Sequence, residues 1–356
     1  MAPNIEGLPI ETVQQVASFL SHKDIRNLSL SCRSLRSKLY RLLWSRVLIH
    51  GGENDLARTL KTFDIESEHG RAILAFIKKA TIHKDMVRPF WHADTWDALK
   101  YDVDPIFSTP IPQAIMQTLQ AMTSLESLHL NILAFSAQQE LAFLDLLQAT
   151  PDIKLQNLTI RAVCKVAKSF IPKCSHDLRS LDTYDCKIST GIFKSKKLEK
   201  LRIQSQYTAM LGLHHHQSVF ILGDLMEMPS LRNISNRFPA LKTLILHETS
   251  RYNVDPATAD PTTTITIIVN TLKKRFGHLE RLAFNLNWIE FYNIVFDENF
   301  FHDLVTRIAR EHRSLQEVCV LFGPPRFDHW KRDRGVTLRN FCEVPNPMGF
   351  PFGVED

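Results

Sequence analysis

The side chains with the best claim to chemistry are scattered. Cys164, Cys174 and Cys186 lie along the chain near His176, yet no pair has the two-to-four residue gap that turns both thiolates onto one zinc ion. Buried structural cysteines are the better reading. His214, His215 and His216 are consecutive, so their rings point in different directions on a helix or a strand, and a solvated turn suits them better than a metal. Asp102 and Asp104 precede Pro105 as ordinary turn formers. The chain has no G-x-S-x-G elbow, no glycine-rich phosphate loop with lysine and no H-E-x-x-H, and its 12 glycines leave few places for close backbone approach to a ligand. The expectation is a protein that is not an enzyme and carries no metal or cofactor.

Apolar residues at regular spacing are what the chain offers instead, beginning with Leu8 to Ile49. Val13, Val16, Ala17 and Leu20 recur at three, four and seven, the stripe of a helix rather than the alternation of a strand. Pro9 suits the first turn, where its missing N–H costs nothing. Ser21 to Asp24 has capping-box form and starts a second helix bearing Ile25, Leu28 and Cys32 on one face. A third carries Leu35, Leu39, Leu42 and Leu43 before Trp44. Three short helices in about forty residues bury too little surface to stand alone. They must lean on the rest of the chain, on a partner, or on both.

Leu8-Pro9-x-Glu11, the stripe ending at Phe19-Leu20, Asp24-Ile25 with Leu28, then Cys32-Arg33 and Leu43-Trp44 together resemble an F-box. Leu35 stands where many members of that family have tryptophan. The resemblance implies docking on the Skp adaptor of a cullin-RING ubiquitin ligase, with contacts from Leu8, Pro9, Val16, Leu20, Ile25, Leu28, Cys32 and Leu35. A helix-turn-helix on DNA fits less well, because the third helix offers Arg33, Arg36 and Arg41 but also a dense leucine row where a groove-reading face should be polar.

Composition agrees with a protein-binding role. A net charge of +5 over 356 residues is mild, and nucleic acid is not the expected partner. No run of eighteen apolar residues and no basic, apolar leader occurs, so the chain is expected in the cytosol or nucleus without a membrane anchor.

Beyond residue 112 a pattern returns. Leu125-x-x-Leu128-x-Leu130 and Leu155-x-x-Leu158-x-Ile160 are followed by looser forms at Leu178/Leu181, Leu198/Leu201/Ile203, Leu241/Leu244/Leu246, Leu279/Leu282/Phe284 and Leu315/Val318/Val320. Helix-length apolar stretches lie between them at Gln138 to Ala149, Val219 to Met228, Ile265 to Phe276 and Phe300 to Arg310. This alternation resembles a leucine-rich repeat, in which each unit gives one strand to a parallel sheet and stacks its leucines on its neighbours. The spacing is irregular, so an imperfect solenoid is expected. An unrelated α/β domain with leucine-rich buried strands is the competing reading.

In such a repeat, alternate strand residues face the concave side. Those with the most capacity for recognition are His129, Asn131, Arg161, Asp182, Lys200, Arg202, His247, Arg281 and Asn285, alongside Ser127, Asn157, Thr159, Ser180, Tyr184, Gln204, Thr243 and Glu317. Polar and mixed in sign, they would select a target protein by hydrogen bonds and charge.

Elsewhere, Val47 to Ile49 reads as a short strand, Trp91 and Trp96 as anchors of an irregular connection, and the aromatic cluster from Trp288 to Phe301 as core of an insertion. Trp330-Lys-Arg-Asp-Arg334 is a basic run that could meet an acidic partner or act in nuclear import, a solvated or capping segment being the plainer reading. The expected class is α/β: a short three-helix F-box at 1–50, a helical linker at 51–112, an irregular leucine-rich-repeat solenoid with a parallel sheet at 113–322, and an irregular tail or cap at 323–356. The expected function is substrate recognition for a Skp-cullin-F-box ligase, with a repeat scaffold free of any ligase as the alternative.

Overall fold

A computed structural model describes residues 7–85, 111–174, 176–184, 197–205, 234–236, 238–248, 269–270, 272–274, 276–285, 298–321, 326–332 and 335–340. Cys186, the three consecutive histidines, Trp91, Trp96, Asp102, Asp104, Trp288 and the stretch Val219 to Met228 lie outside them. The chain divides into two compact units, Met1–Ile153 and Lys154–Asp356.

The first unit opens with the three helices read from the sequence: α1 (Ile10–Ala17), α2 (His22–Ser31) and α3 (Arg33–Leu43). Ser21 caps α2 by accepting the Asp24 amide at 3.2 Å. Cys32 does the same for α3, its sulfur taking the Leu35 amide at 3.3 Å. Pro9 sits one place before α1, where its carbonyl accepts the Val13 amide.

There follow β1 (Arg46–Gly51), α4 (Glu53–Thr62), α5 (Glu68–Ala75), β2 (Lys79–Lys84), α6 (Ile111–Ala121), β3 (Ser127–Asn131) and α7 (Ala137–Ala149). β2 pairs parallel with both β1 and β3. The segment expected to be a helical linker therefore contains the central strand of this unit. Its Lys79-Ala-Thr-Ile-His-Lys84 alternation was disguised by Lys84, which points inward and is nearly fully buried. That ammonium reaches Gln139 Oε1 at 2.6 Å and Glu53 at 3.5 Å, while Gln139 donates to Glu53 at 3.0 Å. A buried cation persists only with such partners. In the first turn of α5, Gly70 is required because a Cβ there would collide with the Phe63 and Asp64 carbonyls.

The second unit contains β4 (Asn157–Arg161), α8 (Cys164–Cys174), β5 (Ser180–Tyr184), β6 (Lys200–Ser205), β7 (Thr243–Glu248), β8 (Arg281–Asn285), α9 (Glu298–Glu311) and β9 (Glu317–Leu321). These six strands are parallel and paired in chain order. The leucine pattern falls into register: Leu158, Leu181, Leu201, Leu244, Leu282 and Val318 form one row, all nearly inaccessible. A second buried row, Leu155, Leu178, Leu198, Leu241, Leu279 and Leu315, precedes the strands. Cys164 and Cys174 occupy opposite ends of α8, roughly 15 Å of helical rise apart, so their thiolates cannot share one ion.

Residues after 323 are not simply irregular. β10 (Arg326–Lys331) pairs antiparallel with β9 and with β11 (Gly335–Asn340), extending the sheet by a hairpin. Trp330 and Lys331 of the basic run thus belong to a strand.

Candidate functional site

The helical block has a small core of its own. Val13, Ala17, Ile25, Leu35 and Leu39 are buried together, with Leu8, Leu28, Cys32, Leu42 and Leu43 packed partly against them. Two polar clips hold α1 to α3: Lys38 Nζ donates to the Leu8 carbonyl at 2.7 Å, and Gln14 Nε2 to the Lys38 carbonyl at 3.3 Å. Tyr40 packs edge-on against Phe76 and Trp44, and the Arg41 guanidinium lies 5.3 Å from the Phe76 ring centre. These contacts seat the block on the residues just after α5.

What the core does not take in is equally informative. Ile10, Val16, Phe19, Leu20 and Leu30 are exposed, Phe19 by 84% and Leu30 by 67%. Five large apolar side chains exposed within one short block make it the candidate contact surface. Ile10 opens α1, Val16 lies in its last turn, Phe19 and Leu20 follow it, and Leu30 lies in the last turn of α2, so the exposed apolar side chains come from both helices.

Of the eight residues expected to meet an adaptor, Pro9, Val16 and Leu20 are exposed, and Leu8, Leu28 and Cys32 are half-buried. Ile25 and Leu35 are a correction: both sit in the block's own core, because three helices this short need every inward position to close one cluster. Leu35, in place of tryptophan, is small enough to be enclosed. Sequence reasoning missed Ile10 and Leu30 as surface residues. Their signal was position: both fall off the stripes that carry the core.

The match to known families falls on this block. Residues 5–50 match the F-box-like family. No curated protein matches the chain. The matched residues accordingly include all five of these exposed apolar side chains.

Taken unit by unit, the strand residues expected to face a target are less open than expected, Ser127 in the first unit and the rest in the second. Ser127, Thr159, Ser180, Asp182, Arg202 and Thr243 are buried. Asp182 and Arg202 correct the expectation most sharply: Arg202 Nη1 lies 3.2 Å from Asp182 Oδ2, and both side chains are about as enclosed as the core. Burial pushes the Arg202 guanidinium pKa down, Asp182 pulls it back up, and Arg161 on β4 adds to the lowering. His129, Asn131, Arg161, Lys200 and Arg281 remain partly exposed, with Asn131 Nδ2 3.2 Å from His83 Nε2 and Arg281 Nε donating to Thr243 Oγ1 at 3.2 Å. His247 and Asn285 lie on β7 and β8.

Glu317, on β9, is the last of these strand residues. Burial would raise its carboxyl pKa, but hydrogen bonds and charge from His329 at 3.2 Å and Lys331 at 2.6 Å outweigh it and hold the group at about 2, below its ordinary 4.5. A carboxyl held low in the folded state adds stability above its unfolded pKa and loses it as pH falls through the folded value. The contribution, on the order of 2–3 kcal/mol, is expected to be complete above about pH 4.5 and to vanish by about pH 2. Glu317→Gln should flatten the urea stability curve across that window. An unchanged slope between pH 5 and pH 2 would remove the pairing from the account.

Proposed function

We propose that the protein is the substrate-recognition subunit of a Skp-cullin-F-box ubiquitin ligase. The F-box-like block docks on the Skp adaptor, and the leucine-rich strands, read as degenerate repeats, hold a target protein. One observation carries this reading: Ile10, Val16, Phe19, Leu20 and Leu30 are exposed on the block that matches the F-box-like family. Leu8, Pro9, Ile10, Val16, Phe19, Leu20 and Leu30 make the adaptor contacts, with Leu28 and Cys32 at their margin, while Ile25 and Leu35 support them from within. His129, Asn131, Arg161, Lys200 and Arg281 are the target-facing groups on the strands. Other subunits carry the chemistry. This chain supplies proximity, raising the local concentration of target beside the ubiquitin carrier. It would act in the cytosol or nucleus. Among the described residues no helix is long and apolar enough to cross a membrane.

Val16→Asp with Phe19→Asp tests the reading, because both positions are exposed and the fold should not notice them. Purified adaptor should bind the wild-type chain and lose roughly a hundredfold in affinity for the double variant, since two carboxylates would be forced into an apolar contact. Equal capture of both proteins would leave a ligase-free repeat scaffold as the better description.

A further inference from the structure

We propose that a basic cleft at the N-terminal edge of β7, β8 and β9 binds an acidic polypeptide segment. Its lining belongs to the second unit and includes no residue named above as meeting the adaptor or a target, so it does not rest on the ligase reading.

The cleft, open to solvent, has a volume of about 790 Å³ and is lined by the turns that lead into three neighbouring strands and by Arg332. Its charged lining is Lys242, Arg313 and Arg332 against a single carboxylate, Glu280, with His278 beside them. Lys242 lies 3.9 Å from Glu280 and is half-exposed, so that pair is loose. Positive charge is left over at Arg313 and Arg332.

Arg332 is the fixed part of the site. Its Nε donates to the Leu315 carbonyl at 3.0 Å and its Nη2 to those of Leu315 and Arg313, while its guanidinium lies 5.4 Å from the Trp330 ring centre. Held this way, the guanidinium presents its charge without losing further side-chain freedom on binding. Part of the basic run seen in the sequence is therefore a wall of this cleft.

The main chain around the cleft is already used. Lys242 O accepts the Glu280 and Arg281 amides, and Glu280 O accepts those of Gln316 and Glu317. Selection must come from side chains. Gly277 has open space where a Cβ would stand, which lets an incoming backbone approach. Glu280 and Gln316 can accept its amides, and the cations around them can take its carboxylates. The volume is that of a pocket for a sizeable ligand rather than a single small anion. Among the described residues no aromatic side chain lines it, which disfavours single-stranded nucleic acid, since that class depends on stacking.

The test uses the full chain and fluorescein-labelled octaglutamate, read by anisotropy, with octaglutamine and an eight-nucleotide oligothymidylate of like length as comparators. Wild-type protein should bind octaglutamate at least about tenfold tighter than either, and the affinity should fall as salt is raised. Lys242→Glu with Arg313→Glu should weaken octaglutamate about tenfold or more, whereas Arg58→Glu, an exposed reversal in the other unit, should leave it unchanged. Thermal midpoints measured on all three proteins separate lost binding from lost fold. Should the double reversal not fold, Lys242→Gln with Arg313→Gln replaces it, with the same direction of effect. Octaglutamate bound no better than octaglutamine, bound equally by the double variant, or bound less tightly than the oligothymidylate would overturn the proposal.

Discussion

Asp182→Ala is expected to destabilise the second unit by about 3–5 kcal/mol, the range found when one partner of a buried ion pair is removed. The Asp182 and Arg202 side chains are each exposed by only about one part in twenty, 5% and 6%, and face one another at 3.2 Å across neighbouring strands. Among the described residues Arg202 Nε has no hydrogen-bond partner, so the guanidinium depends heavily on this carboxylate. Burial lowers its pKa, but an arginine does not give up its proton under ordinary conditions, and the variant would strand a charge inside the protein. Replacing both together, Asp182→Leu with Arg202→Met, should recover most of the loss, because an apolar pair of similar volume does not require solvation. Urea unfolding of the two variants decides the matter. A single variant within about 0.5 kcal/mol of wild type would mean that water or another group already satisfies Arg202.

The second large effect belongs to the helical block. Leu39→Ala should cost about 2–5 kcal/mol, since Leu39 is wholly buried in a core of five residues that cannot collapse around the cavity. Under the proposed function it should also weaken adaptor capture, because Ile10, Val16, Phe19 and Leu20 keep their mutual geometry only while α1 rests on α3. Val16→Asp with Phe19→Asp should lower adaptor affinity by roughly a hundredfold and leave stability unchanged. Hydrogen exchange on α1 to α3 tells the two apart: fast exchange is expected for Leu39→Ala alone. Retained protection in Leu39→Ala would show that the packing against Phe76, rather than the block's own core, holds the helices.

Much of the local structure was legible residue by residue. Ser21 and Asp24 announced the start of α2, and the leucine triplets announced strands whose side chains fall into register down the second unit. β2 escaped because its inward Lys84 reads as a solvent residue until Glu53 and Gln139, remote in sequence, are brought beside it. β10 and β11 escaped because they lack the leucine rhythm and pair antiparallel with what precedes them. The zinc reading of Cys164 and Cys174 fails on helix geometry, which places the two at opposite ends of α8.

Sequence by itself determined which side chains share a face: the stripes of α1 to α3 and the alternation of each strand follow from helical and extended periods, which are local properties of the backbone. Only the tertiary structure decided which faces meet water. Ile25 and Leu35 went inward and Phe19 and Leu30 outward because three short helices enclose one small cluster and no more. Asp182 and Arg202 became a buried pair because neighbouring strands set their side chains against each other. Burial depends on what stands opposite a residue, and that partner is chosen by the fold.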